Sequence, residues 1–191
     1  MNILCVGRNY ARHADEMGGR PEAPIWFWKP ETAIVHDGGA VRIPKGIGAV
    51  HHEVELAVRI GDGGQPDAMT VAVDVTARDL QAKAKKEGMP WTVAKGFDTF
   101  LPLGEWVPAD DLQEQWIRLS VDGQLRQDGR SHDMTWNVDE LLALAGMWTT
   151  LRPGDILLTG TPEGVGPIEP GEEMVAELVG HVRLRCLVVA R

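Results

Sequence analysis

Residues 51–58, HHEVELAV, set two carboxylates one residue apart at the head of a run that otherwise reads as a buried strand. Successive strand side chains alternate between faces, so Glu53 and Glu55 point the same way, together with His51. Two like charges at that spacing repel, and any fold this chain adopts must leave them in water or neutralise them. A solvent-facing edge strand would take the first course. The flanking residues argue against it, because Leu56 to Ile60 look bound for a core and a second apolar strand, VAVDVTARD, carries Asp74. Three carboxylates converging from two strands form an all-oxygen site suited to Mg2+ or Mn2+, with water and substrate in the remaining positions. A cation there would remove the repulsion. His51 and His52 offer an alternative N/O site more suited to zinc or iron, but no histidine stands near Asp74 to complete it.

Strand signals dominate the rest of the chain. NILCVG (2–7) opens as a short apolar strand, and NYARHADEM (9–17) reads as a short helix capped by Asn9 and ended by Gly18 and Gly19. So short a helix is marginal by itself, which makes it a candidate lid. IRLSVDGQLRQ (117–127) alternates around Asp122-Gly123, a hairpin signal, and Asn137 with Glu140 introduces the apolar helix VDELLALAGMW (138–148) in a capping-box-like arrangement. RPGDILLTG (152–160) reads as a turn and a buried strand, and residues 172–189 as a final hairpin. The sum is an α+β chain, mainly β, with few short helices. TGTPEGVGP (159–167) is glycine-rich but lacks the Gly-Lys-Ser/Thr of a phosphate loop, so it reads as a tight turn rather than a nucleotide site.

No repeat or linker interrupts the sequence, and residues 1–191 are expected to form a single domain able to bury its core without disulfides. The formal net charge of -9, with no basic stripe, argues against a nucleic-acid partner. An anionic substrate therefore needs a local cation. Cys5 and Cys186 suggest no disulfide framework, and neither a signal peptide nor a membrane-spanning run is visible, so a cytoplasmic protein with no membrane partner is expected.

Six blocks, CVGRNYARHADEMG, FWKPETA, HHEVELAV, DVTARDLQ, PWTVAKGFD and LTGTPEGVGP, occur in the order and wording of the fumarylacetoacetate hydrolase family. The chain most resembles its short acylpyruvate hydrolase branch, which also includes oxaloacetate decarboxylases. That resemblance implies a mixed β-sandwich roll of the fumarylacetoacetate hydrolase C-terminal-domain type, a homodimer, and a Mg2+ or Mn2+ ion held by Glu53, Glu55 and Asp74. It also implies a dyad on the lid, where His13 and Glu16 lie three apart on one helix face. Glu16 would orient and polarise His13, which would take a proton from water.

The implied reaction is hydrolysis of the C–C bond of an acylpyruvate, such as fumarylpyruvate or acetylpyruvate, of the kind met in aromatic compound catabolism. Pyruvate enolate is the costly species, and the metal with Lys95 in VAKGFD would stabilise its charge. By the same resemblance, backbone N–H groups of TGTPEGVGP and the Thr161 hydroxyl receive the carboxylate of a small 2-oxo acid, with Arg78 and Gln81 contributing from the other side. Arg78 alternatively serves as a structural ion-pair partner. Oxaloacetate decarboxylation or tautomerisation passes through the same kind of enolate and stands as the alternative, alongside 2-oxo acid hydration or isomerisation. A catalytically silent 2-oxo acid binder is the alternative of another class. Trp26, Trp28 and Trp91 suit either a dimer interface or the core.

Overall fold

The computed structural model describes residues 1–11 and 21–191. The helix expected over 9–17 falls, from Arg12 onward, outside the described residues, and His13 and Glu16 fall outside them with it. The centre of the fold is a six-stranded sheet in the order β10 (Val107–Pro108), β7 (Pro66–Val73), β6 (Val54–Ile60), β13 (Ile156–Leu158), β1 (Ile3–Gly7) and β2 (Ile25–Lys29). Within it β1 and β13 run parallel and the remaining neighbours antiparallel. A five-stranded sheet follows the order β12 (Gln124–Arg130), β11 (Trp116–Val121), β15 (Glu173–Leu178), β16 (Val182–Ala190) and β4 (Ala40–Ile43). Smaller sheets join β14 (Gly166–Pro167), β5 (Val50–His52) and β8 (Thr76–Ala77), and β3 (Ile34–Val35) with β9 (Leu101–Pro102). The helices are short: α1 (Arg78–Glu87), α2 (Thr92–Lys95) and α3 (Val138–Gly146). The molecule is thus mainly β with a mixed sheet, as the sequence led one to expect. No described helix is long and apolar enough to cross a membrane.

Both faces of the central sheet are covered, which explains the missing polar alternation in β6. Leu4, Leu56, Val58, Met69 and Val71 face one core, shared with Ile117, Leu119, Met174 and Leu184 of the five-stranded sheet. Ile3, Cys5, Ala57, Ala72 and Leu158 alternate to the opposite face and pack on Leu101 and Leu103. β6 is therefore an interior strand, and a solvated edge for Glu53 and Glu55 is not what the fold provides. The short segment 61–65 joins β6 to β7 as an antiparallel pair with Val54 opposite Val73 and Glu55 opposite Ala72.

The β11–β12 hairpin turns at Asp122 (φ 48°) and Gly123 (φ 74°), the left-handed pair that a two-residue type I′ turn demands. A bulge at Leu119/Ser120 then changes its register. Counting back from Ser120 opposite Leu125, Leu119 would face Arg126. The bulge sets Leu119 opposite Gln127 instead, so Gln127 is buried and Arg126 exposed. Helix α3 begins with the expected capping box: the Asn137 side chain accepts from the Glu140 N–H, and Glu140 accepts from the Asn137 N–H. Asn9, whose expected helix lies from Arg12 onward outside the described residues, is fixed by its own side chain. Its amide donates to the carbonyls of Trp136 and Thr159 and accepts from the Trp136 N–H, which ties the end of β1 to two distant segments.

Candidate active site

Glu53 precedes β6, Glu55 lies within it, and Asp74 follows β7 directly. Since Glu55 faces Ala72, and Asp74 is two residues beyond Ala72, strand parity puts the three carboxylates on one side of the β6–β7 pair. All are buried, and one oxygen from each lies within 4.8 Å of the others. Among the described residues this is the one group of three or more potential metal-ligand side chains that converges. His51 and His52 flank it without joining it. The Arg78 Nε–H donates to His51 Nδ1 at 3.4 Å, and His52 Nδ1 lies 2.9 Å from the side-chain oxygen of Gln127.

Three cations answer the three carboxylates. Lys95, at the end of α2, is buried, and its ammonium donates to Glu53 (2.8 Å), Asp74 (2.5 Å) and the Thr76 hydroxyl (2.7 Å). Lys29, at the end of β2, pairs with Asp74 at 2.9 Å and donates to the carbonyls of Phe100, Lys95 and Val75. Arg78, at the start of α1, pairs with Glu53 at 2.5 Å and donates to Gln81 at 2.7 Å. Burial alone would lower the pKa of Lys95, but the Asp74 and Glu53 carboxylates outweigh it and hold the group above the ordinary lysine range. Lys95 is a fixed cation at neutral pH.

Among the described residues Glu55 has no such cationic contact; the N–H of Gly160 donates to it at 2.7 Å. Burial, followed by the charge of Asp74, pushes its carboxyl well above the usual range. A hard cation shared among these oxygens would relieve that penalty, so the donor set fits a divalent ion. Gly160 is required at this place for two reasons: its φ is 92°, and a Cβ would come within 2.7 Å of the Asn9 Cβ. Its N–H, counted from sequence among the groups for a substrate carboxylate, is thus committed to Glu55.

Arg8, Glu53, Glu55, Arg78, Lys85 and Thr161 line one pocket, with Gln81, Trp91 and Lys95 completing it. The structure thus brings Glu53, Glu55, Arg78, Gln81, Lys95 and Thr161 to one pocket, and Asp74 joins them behind its wall through Lys95 and the carboxylate cluster. Gln127 was not visible to that reading. Its oxygen accepts from the Val54 N–H (2.9 Å) and lies against His52 Nδ1, which fixes the amide orientation; its nitrogen then donates to the Thr161 hydroxyl at 2.8 Å and the Pro162 carbonyl at 3.0 Å. With its oxygen already accepting, the Thr161 hydroxyl has its proton available for a ligand in the pocket. A buried glutamine in a hairpin that otherwise alternates normally was the available signal, concealed by the bulge. Lys29 was also missed, although a lysine ending the apolar strand IWFWK invites a buried partner.

The family model for the fumarylacetoacetate (FAA) hydrolase C-terminal domain matches residues 2–189. An oxaloacetate tautomerase FAHD1 of Arabidopsis thaliana mitochondria is 44% identical over 194 residues, covering 93% of this chain and 86% of that protein. A mitochondrial oxaloacetate decarboxylase of Dictyostelium discoideum is 40% identical over 193 residues, covering 93% and 88%. Among solved structures, fumarylpyruvate hydrolase from Pseudomonas aeruginosa, in complex with Mn2+ and pyruvate, superposes with a TM-score of 0.93 at 37% identity, covering all of this chain and 90% of that one.

Proposed function

Because the chain belongs to the fumarylacetoacetate hydrolase family, we propose that it is a metal-dependent enzyme that enolises oxaloacetate, interconverting its keto and enol forms by removing and returning the C3 proton and, from the keto form, catalysing decarboxylation, in which the C3–C4 bond breaks, CO2 leaves and the electron pair passes to the same ketone oxygen as pyruvate enolate. The observation that carries this reading is the buried Lys95 ammonium held between Glu53 and Asp74, a fixed positive charge beside a hard-cation donor set. The names of the tautomerase and decarboxylase relatives support the choice of oxaloacetate over the acylpyruvates that the sequence first put forward.

Glu53, Glu55 and Asp74 would hold Mg2+ or Mn2+, which when bound supplies Lewis acidity at the substrate's adjacent carboxylate and ketone oxygens. Lys95 places its charge where negative charge grows on the ketone oxygen as the C3 proton leaves. Being held protonated, it acts as an electrostatic stabiliser and not as the base. Arg78, steadied by Gln81, and the Thr161 hydroxyl, steadied by Gln127, orient the carboxylate. His13 with Glu16 is the proposed dyad that takes and returns the C3 proton.

A second reading, hydrolysis of acylpyruvates such as fumarylpyruvate, is favoured by the close superposition on fumarylpyruvate hydrolase. There the same dyad would take a proton from water, and aromatic compound catabolism would be the setting. We further propose one catalytic domain over residues 1–191, in a reducing compartment such as the cytoplasm that suits the buried free thiols of Cys5 and Cys186. A homodimer is proposed through edge strand β2, where exposed Trp28 meets exposed Trp148, just beyond α3, edge to face, with Trp26 tilted against Trp148.

Enol absorbance, followed with purified protein in Mg2+ or EDTA, tests the choice. Metal-dependent keto–enol equilibration of oxaloacetate, faster than fumarylpyruvate loss, is the expected result. Metal-dependent cleavage of fumarylpyruvate to pyruvate and fumarate, with oxaloacetate untouched, would replace it with the hydrolase reading.

A further inference from the structure

The pocket carries more positive charge than its carboxylates use. Lys29, Arg78 and Lys95 pair with Glu53 and Asp74, whereas Arg8 and Lys85 face the same pocket outside those pairs. Among the described residues neither pairs with a carboxylate. Arg8 follows β1 at φ 60°, a left-handed conformation unusual for a residue with a side chain, and its Nε is buried without a hydrogen-bond partner among the described residues. Such a backbone conformation is costly and persists only where the surroundings enforce it. Lys85 stands on α1 four residues after Gln81 and seven after Arg78, hence on the same helix face. It is half-buried, with its ammonium 5.0 Å from the centre of the Trp91 ring. Burial, and next the charges of Arg8 and Arg78, lowers its pKa to about 8. Two partly desolvated cations facing one pocket, neither of them paired with a carboxylate among the described residues, form a site that a bound anion would complete.

We propose that Arg8 and Lys85 form an anion subsite that receives the second carboxylate of a dicarboxylic 2-oxo acid and sets the preference for such substrates over monocarboxylic ones. This rests on the reading of the pocket as a metal-dependent 2-oxo acid site, because the metal, Arg78 and Thr161 then engage the first carboxylate and the ketone. Arg8 and Lys85 are the cations left for the far end.

Calorimetric titration of Mn2+-loaded protein with 2-oxoglutarate and with pyruvate tests the subsite apart from turnover. Lys85→Met, which keeps the length and helix propensity of the side chain, should weaken 2-oxoglutarate binding about tenfold and leave pyruvate binding within about twofold. Arg8→Gln should do the same, and the KM for oxaloacetate should rise in parallel in both variants. Equal losses for both ligands, or no loss for either, would overturn the subsite. If wild-type protein fails to turn over oxaloacetate but the variants still lose only 2-oxoglutarate affinity, the proposed reaction falls and the subsite stands. If turnover is present and its KM is untouched in both variants, the reaction stands and the subsite falls.

Discussion

At the residue scale, the site is organised by opposite charges that meet out of bulk solvent, where Glu53, Glu55, Asp74 and Lys95 are all buried. Glu55 is the exception, held among the described residues by the Gly160 N–H while burial and Asp74 resist its ionisation. Glu55→Gln should therefore lower Mn2+ affinity by more than the roughly 10–100-fold that loss of an outer-shell partner costs. The same change should leave the unfolding midpoint of the metal-free protein equal or higher, since it removes one of three like charges. Calorimetric Mn2+ titration and thermal unfolding read the two effects, and an unaltered isotherm would remove Glu55 from the metal site. Gln127 is a positioning residue in the same sense, because it orients Thr161 through one end and is anchored by Val54 and His52 at the other. Gln127→Leu leaves a buried N–H and a histidine nitrogen unsatisfied, and should cost about 2–3 kcal/mol in denaturant unfolding. His52 supplies a pH signature. Burial lowers its pKa, so the unfolded chain takes up the proton first. Stability is then complete above the ordinary histidine value of about 6.5 and is lost as pH falls below it. His52→Asn retains a donor toward Gln127 without titrating there, and should remove part of that loss in unfolding midpoints measured between about pH 7 and pH 5.

At the scale of elements, two local devices aim the site. The bulge in the β11–β12 hairpin turns Gln127 inward, and the loop after β13 places the Gly160 N–H on Glu55. That loop is fastened to β6 by Thr159, whose N–H and hydroxyl both donate to the Leu56 carbonyl. Gly160→Ala would impose a positive φ on a side-chain residue and press its Cβ onto Asn9. A loss of at least about 1–3 kcal/mol is expected, with weaker Mn2+ binding because the Gly160 N–H that holds Glu55 is displaced. Unfolding and metal titration on one preparation distinguish the two consequences; full stability with full metal affinity would show that the loop has room to relax. The hairpin itself was legible from Asp122-Gly123, and helix α3 from Asn137 and Glu140. The bulge was not, because one extra residue in a strand leaves the turn chemistry unchanged and reverses only which side chains face inward.

For the whole molecule, the central sheet is the frame on which distant segments meet, and metal binding should couple to its stability. At a free Mn2+ concentration about 100 times its dissociation constant, binding to the folded state alone adds about 2.7 kcal/mol. For a chain of this size that raises the thermal midpoint by about 5–10 °C, an increase that EDTA should reverse and Glu55→Gln should largely abolish. Exposed Trp28 of edge strand β2 and its neighbour Trp148 carry the proposed homodimer. Trp28→Glu, a change at the surface, should convert it to monomer in light scattering after size exclusion; a monomeric wild-type protein would dispose of the interface. The sequence by itself determined the strand-rich class, the carboxylate spacing, and the residues on each local face, because turn chemistry and the two-residue strand period act over a few neighbours. Only the tertiary structure decided how the charges are answered: that Lys29 closes on Asp74, that Gly160 serves Glu55 and not a ligand, and that Gln127 holds Thr161. These contacts join residues far apart in the chain, and desolvation gives them their strength once the sheets have packed.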